Sequence, residues 1–379
     1  MSDDVLKLDR MLMIGSTGPN VGKTELACAV IKRFSKDKKI TGIKVTTIKQ
    51  KDGQCPRGGR GCGVCTSLEG DFDITQETDP ASGKDTSRLL AAGAEKVFWL
   101  RVMKTSLRQA LAVLLDVVGP DSVLVCESNS LRHVAEPGLF VMVKKPDEKA
   151  VKNSAQEVIK LADEIIAPDC RGFGVDLDRI KLVDGKWRIM ADATAIIMAG
   201  GQSSRMGVDK SMLPLNNKPM VEAIYEQLHG SFSQILISSN EKEKLAFLGL
   251  RVVPDKHTGQ GPLMGVASAL EVSTNELNFV IACDIPYIDL KVVRNMLKEA
   301  NGADIVVPTV GQGQYEPLFA IYRKSSLKAI NEVLSAGQRK ISDVFEHCKV
   351  KYINLDLPGN FANINTMAEY NEYRKRYDN

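Results

Sequence analysis

The sequence predicts an α/β protein of two domains, each built on a parallel sheet covered by helices. Two observations carry this. Short apolar runs alternate with helical patterns along the chain, the order that parallel sheets require. That alternation starts afresh near residue 192, and 379 residues is a length for two or three domains. We therefore expect a first domain over residues 1–191 and a second over 192–379.

In the first domain "MLMIG" and "TGIKVTTIK" read as strands, with "KTELACAVIKRF" between them as a helix. "KVFWLRVM", "SVLVCE" and "GLFVMVKK" read as further buried strands, with a helix near Ser106 to Val118 between the first two. "KNSAQEVIKLADEIIAP" reads as a helix running into a strand. "RIKLVDGKWRIM" places Asp-Gly between alternating residues, a hairpin signal that closes the domain near Ala191. The second domain opens on "ATAIIMAGG". Its later strands are expected at Gln234–Ser238, Arg251–Val253, Asn278–Cys283, Asp304–Pro308, Leu318–Tyr322 and Lys349–Asn354, with helices in most gaps. The segment from Lys49 to Gly83 has little periodicity and reads as a long functional loop.

Hydrophobic residues make up 44% and charged residues 26%, as in ordinary globular proteins. A net charge of +3 argues against a nucleic-acid binder, whose basic surplus is larger and clustered. No apolar run approaches the length of a membrane span. "MSDDVLKLDR" lacks the apolar core of a signal peptide. A cytoplasmic location is expected, with the eight cysteines free or metal-bound.

Two glycine-rich turns carry the chemistry. The first, "GSTGPNVGKT", fits the P-loop formula from Thr17 to Thr24, except that Thr17 stands in place of the first glycine. It follows a strand and opens a helix, where unpaired N–H groups and the helix dipole hold an anion. Gly22, Lys23 and Thr24 are the expected nucleotide contacts, with Lys23 on the β- and γ-phosphates and Thr24 on Mg²⁺. This predicts a P-loop NTPase-like sheet. Such a site also wants an acid at the end of a neighbouring strand. Glu127 after "VLVC" is the best candidate. Asp85 in "GKDTSR" fits equally as a second acid or as a helix cap.

"CPRGGRGCGVC" places Cys55, Cys62 and Cys65 in eleven residues, and the Cys-x-x-Cys half has zinc-ligand spacing. A fourth ligand is missing nearby; Asp71, His133 or a partner chain are the options. The same segment also reads as a basic loop with exposed thiols, in which Arg57 and Arg60 approach an anionic ligand.

The second turn, "MAGGQSSRMGVDK", fits neither the P-loop nor the G-x-G-x-x-G dinucleotide pattern. Gly200 and Gly201 allow close approach of backbone to a base or phosphate. Ser203, Ser204, Arg205 and Lys210 add hydroxyls and fixed cations behind a buried strand. Asp284 ends the apolar run "NFVIAC", where α/β sheets place ligands, and its carboxylate suits Mg²⁺. Asn363 and Asn365 read either as substrate contacts or as turn formers.

These residues resemble the signature of the molybdenum cofactor guanylyltransferases. The match continues through "GPLMGVASAL", "ACDIPYID", "EPLFAIY", "AGQRKISDVF" and "FANINTMAEY", in that order, over nearly all of 194–370. The resemblance implies a Rossmann-like nucleotidyltransferase sheet and transfer of GMP from GTP to molybdopterin, with release of pyrophosphate. It implies Arg205, Lys210 and Asp284 as the catalytic set. It implies a ligand cradle of Met198, Ala199, Gly200, Gly201, Ser203, Asp255, Gly261, Pro262, Asn363 and Asn365, with Mg²⁺ on Asp284. His257 is a further possible contact. The related cytidylyltransferases tend to carry Ala at the position of Gly200, which favours GTP over CTP. The first domain resembles the MobB-type GTP-binding partner of the same pathway through Gly22-Lys23-Thr24, "GKDTSRLLAAGA" and "VLVCE". Molybdoenzyme apoproteins and other cofactor-biosynthesis proteins are implied as partners. Competing expectations are a transferase using CTP or another phosphate acceptor, and a P-loop delivery or regulatory protein.

Overall fold

The computed structural model describes residues 5–48, 68–144, 153–169, 172–173, 177–200, 209–310, 314–354, 364 and 366–377. The chain forms two compact units, Met1–Ile189 and Met190–Asn379.

The first unit holds β1 (Leu6–Ser16), β2 (Ile40–Ile48), β3 (Phe72–Gln76), β4 (Lys96–Met103), β5 (Val123–Glu127), β6 (Ala135–Val143) and β7 (Glu164–Ile166) in one sheet of order β3-β4-β2-β5-β1-β6-β7. All pairings are parallel except β3 with β4. That edge strand corrects the expectation for Lys49–Gly83. Its described part extends along β4, where Arg101 donates to the Asp73 carboxylate at 2.7 Å. Only one face of an edge pair needs apolar cover, so the segment shows no continuous hydrophobic run.

Helices α1 (Lys23–Phe34) and α2 (Asp85–Ala91) cover one face of this sheet, burying Leu26, Val30, Ile31 and Leu89 with Leu12, Ile14, Val125 and Val141. Helices α3 (Leu107–Val118) and α4 (Asn153–Ile159) cover the other, around Met11, Met13, Leu100 and Phe140. Continuous apolar strands follow from burial on both faces. A short ribbon pairs β8 (Pro168–Asp169) with β9 (Gly172–Phe173). The expected hairpin forms as β10 (Ile180–Val183) and β11 (Lys186–Ile189), turning on Asp184 and Gly185, both at positive φ. Trp187 on it is 1% exposed, stands edge-on to Phe34, and donates to the Leu124 carbonyl at 3.1 Å.

The second unit starts with β12 (Ala191–Met198), so Ala191, expected to end the first domain, opens a strand of the second unit. A small ribbon follows, β13 (Pro214–Leu215) with β14 (Lys218–Pro219). The main sheet adds β15 (Phe232–Ser238), β16 (Arg251–Val253), β17 (Leu277–Ala282), β18 (Ile305–Val310), β19 (Gln314–Tyr315), β20 (Phe319–Arg323) and β21 (Val350–Asn354). Its order is β16-β15-β12-β17-β20-β18-β19, with β21 on β18. The sheet is mixed, not wholly parallel: β20 runs antiparallel to both β17 and β18. Helices α5 (Met220–Leu228), α8 (Leu290–Glu299) and α10 (Met367–Tyr377) contribute Ile224, Val293 and Tyr370 to the core on one face. Helices α7 (Pro262–Val272) and α9 (Ser326–Ser335) bury Leu263, Val266 and Ile330 on the other, while α6 (Lys242–Leu245) is a single turn beyond β15. No helix among the described residues is long and apolar enough to cross a membrane.

Candidate functional site

Each unit gathers polar side chains at the carboxyl edge of its sheet. In the second unit the chain leaves β12 toward β15 and β16, then returns to β17 on the other side of β12. That reversal opens a crevice above β12 and β17, the place where such sheets bind ligands. Met198 and Ala199 keep strand hydrogen bonds into it: Ala199 N–H donates to Ser238 O at 3.0 Å, and Cys283 N–H to Met198 O at 3.1 Å. Gly200 follows, where among the described residues a Cβ would meet nothing nearer than 3.6 Å.

Lys210 and Asp284 meet in this crevice, Nζ to Oδ2 at 3.1 Å, with side chains 17% and 23% exposed. Lys210 opens a 3₁₀ turn, Lys210–Met212, capped by Asp209, whose carboxylate accepts from Ser211 N–H at 2.9 Å and also pairs with Lys244. Asp284 follows β17 and is not a helix cap. The cap of α8 is Asp289, which accepts from Lys291 and Val292 N–H. Ile364 N–H donates to the backbone carbonyl of Asp284 at 2.9 Å.

Asp255 stands beyond β16. It is fixed by Asn240, whose Nδ2 donates to Asp255 Oδ2 at 2.9 Å and whose Oδ1 accepts from Asp255 N–H at 2.8 Å. The sequence reading missed Asn240, although a lone amide directly after the β15 apolar run was the signal. Gly261 caps α7 at φ +74°, with Pro262 as first helical residue. Gly265, one turn on, is confined: a Cβ there would lie 2.6 Å from Ser238 Oγ and 2.8 Å from Met198 Cε. His257 is exposed. Gly201, Ser203, Arg205, Asn363 and Asn365 lie outside the described residues.

In the first unit the turn between β1 and α1 is held from beneath. Asn129 accepts from Ser16 N–H and donates to Ser16 O, both at 2.8 Å. A Cβ on Gly15 would come within 2.8 Å of that same Asn129 Oδ1. Gly22 caps α1 at φ +98°, a left-handed conformation that glycine adopts without strain, and Lys23 and Thr24 begin the helix.

Thr24 Oγ1 donates to Glu127 Oε2 at 3.2 Å. Lys44 Nζ pairs with the same Oε2 at 3.2 Å and with the carboxylate of Asp85. Asp85 is thus not a cap; its side chain turns to the lysine, and α2 has no side-chain cap. Glu127 is 3% exposed and its Oε1 has no hydrogen-bond partner among the described residues. Burial pushes its carboxyl above the ordinary carboxylate range, against the opposing pull of Lys44. Burial acts on Asp85 in the same sense, but the hydrogen bond and charge of Lys44 prevail and hold it below the usual range. Lys44 was also missed; a single lysine inside "GIKV" was the only sign of it.

Both clusters offer hard oxygen ligands of the kind Mg²⁺ takes. Thr24, Asp85 and Glu127 form one set, and Asp284 offers a single carboxylate beside Lys210 in the other unit. Cys55, Cys62 and Cys65 lie outside the described residues, and among the described ones no group of three or more His, Cys, Asp or Glu is arranged to hold a metal.

Gly200, Lys210 and Asp284 stand at the switch point of a mixed α/β sheet, the class of site and fold that nucleotidyltransferases use. Residues 195–351 match the family model described as MobA-like NTP transferase domain. A probable molybdenum cofactor guanylyltransferase of Pelotomaculum thermopropionicum is 36% identical over 197 residues, spanning 50% of this chain and 96% of the relative. That of Carboxydothermus hydrogenoformans is 37% identical over 193 residues, 49% of this chain and 97% of the relative. The molybdenum cofactor guanylyltransferase of Shewanella putrefaciens is 33% identical, over 47% of this chain and 94% of the relative. Through its second half the chain belongs to the molybdenum cofactor guanylyltransferase family.

Proposed function

We propose that the second unit transfers GMP from GTP to metal-loaded molybdopterin, and that the first is an accessory GTP-binding domain of P-loop, MobB-like type. The observation that supports the transfer most directly is the Lys210–Asp284 pair at the switch-point crevice, inside the matched region. The reaction joins an oxygen of the acceptor's terminal phosphate to the α-phosphorus of GTP. The bond from that phosphorus to the β-phosphate bridge breaks, and pyrophosphate leaves. A phosphomonoester has a second pKa of about 6, so the attacking oxygen is already deprotonated at neutral pH. What the chain must supply is charge compensation between two anions and on the leaving group.

Lys210 and Arg205 serve as those cations, and Asp284 would hold Mg²⁺. When bound, that ion neutralises phosphate charge. The backbone at Met198, Ala199 and Gly200 lies against the nucleotide, joined by Gly201 and Ser203, and the α7 start at Gly261 and Pro262 closes the cradle. Guanine presents two adjacent N–H donors on its pairing edge, and the Asp255 carboxylate, aimed by Asn240, accepts both. Cytosine offers no such adjacent pair. Asn363 and Asn365 flank Ile364, whose amide reaches Asp284 O, and contact the acceptor. In the first unit Gly22, Lys23 and Thr24 hold the nucleotide phosphates, with Mg²⁺ on Thr24 and the acids beside it. The protein works in the cytoplasm.

Mass spectrometry of the product decides this reading. Incubation with GTP, Mg²⁺ and metal-loaded molybdopterin yields the guanine dinucleotide and pyrophosphate. A product only with CTP, or only with a sugar phosphate as acceptor, overturns it.

A further inference from the structure

Lys44 lies in register with Glu127 across the parallel pair β2–β5, so both side chains project on the α1 face near the carboxyl edge. Its ammonium sits between the carboxylates of Asp85 and Glu127, and Glu127 shares its Oε2 with Thr24. Three oxygen ligands that suit a divalent cation are therefore already gathered around a monovalent one. The pairing is incomplete, because the buried Glu127 Oε1 has no hydrogen-bond partner among the described residues. A buried carboxylate oxygen in that state is costly, and a cation that contacts both oxygens removes the cost.

We propose that Lys44 is an internal counter-ion that makes divalent-cation binding at Thr24, Asp85 and Glu127 depend on nucleotide. An ammonium and a dication cannot share this space, since like charges at contact repel strongly at low effective dielectric. Metal entry must displace the Lys44 head. The displaced head needs an anion in place of the acids. Phosphates at the start of α1 provide it, one side chain away across Thr24. Metal and nucleotide thus bind better together than apart, and the coupling is reciprocal. This inference rests on the reading of the first unit as a nucleotide site.

Mn²⁺ is the probe, measured by electron paramagnetic resonance on the full chain. Asp284→Asn serves as background, so that the signal comes from the first unit. Without nucleotide, Lys44→Gln binds Mn²⁺ about 10-fold more tightly than the background protein, within the usual range of such couplings. A non-hydrolysable GTP analogue tightens Mn²⁺ binding by a similar factor when Lys44 is present and by little in Lys44→Gln. Adding Asp85→Asn removes the signal. Equal or weaker Mn²⁺ binding by Lys44→Gln without nucleotide overturns the proposal, as does a signal that survives Asp85→Asn. If Lys44→Gln folds only when Mn²⁺ is present, the counter-ion role stands; if it is unfolded in both conditions, the role falls. Failure of the unsubstituted chain to bind the analogue refutes the nucleotide reading, and the nucleotide-free comparison still decides Lys44.

Discussion

Lys210 and Asp284, 74 residues apart in the chain, meet at 3.1 Å in the crevice between the ends of β12 and β17. Both side chains keep some contact with water, 17% and 23% exposed, so Lys210 can be solvated when the Asp284 charge is removed. Asp284→Asn keeps the size of the side chain and removes its charge. GMP transfer is expected to fall about 100-fold or more, the scale of losing one electrostatic contact to a transition state. Thermal melting should be nearly unchanged. Full turnover at saturating Mg²⁺ would refute the role of Asp284.

Gly200 and Gly265 make a contrasting pair. A Cβ on Gly200 meets Ser238 O and Ser239 Cα at 3.6 Å, an ordinary contact, so Gly200→Ala should fold normally. Its effect should fall on the ligand, weakening kcat/KM for GTP more than for CTP. Equal loss with both nucleotides makes Gly200 a backbone requirement and not a base selector. Gly265→Ala instead forces Ser238 and Met198 to move, at a cost of about 1–3 kcal/mol visible in denaturant melts.

Glu127 supplies a pH prediction. Its folded-state carboxyl titrates above the ordinary 4.5, chiefly through burial. A raised carboxyl pKa means that the fold prefers the protonated form, so its contribution is full below the unfolded value and is lost as pH rises through the folded one. Glu127→Gln abolishes that loss. The melting temperature of the variant, relative to the parent, should therefore climb as pH rises through the range above the ordinary carboxylate value. A constant difference across that range contradicts the assignment.

The division of labour is testable by cutting the chain. Residues 190–379 carry the whole of β12 and form a compact unit, and are expected to fold alone and transfer GMP. Lys23→Ala in the full chain should abolish nucleotide binding by the first unit while lowering transfer only modestly. If it stops transfer with purified substrates, the first loop belongs to the transfer cycle. An insoluble 190–379 fragment means that the two units share a core.

The sequence by itself determined the central strands of both sheets, because continuous apolar runs record burial on both faces of a sheet. It also marked the glycine turns at Gly22 and Gly200 and the acid Asp284, because such local features need particular residue types at particular spacings. The tertiary structure decided what faces what. Strand Phe72–Gln76 was invisible because an edge strand lacks a continuous apolar run, and the reversed direction of β20 leaves no trace in its own composition. Asp85 read equally well as a cap or an acid, and only the approach of Lys44 from a different strand separates the two. Asn240 and Lys44 are single polar residues whose meaning lies in a partner 15 and 83 positions away. Pairings of that kind are set by strand order and register, which no local pattern encodes.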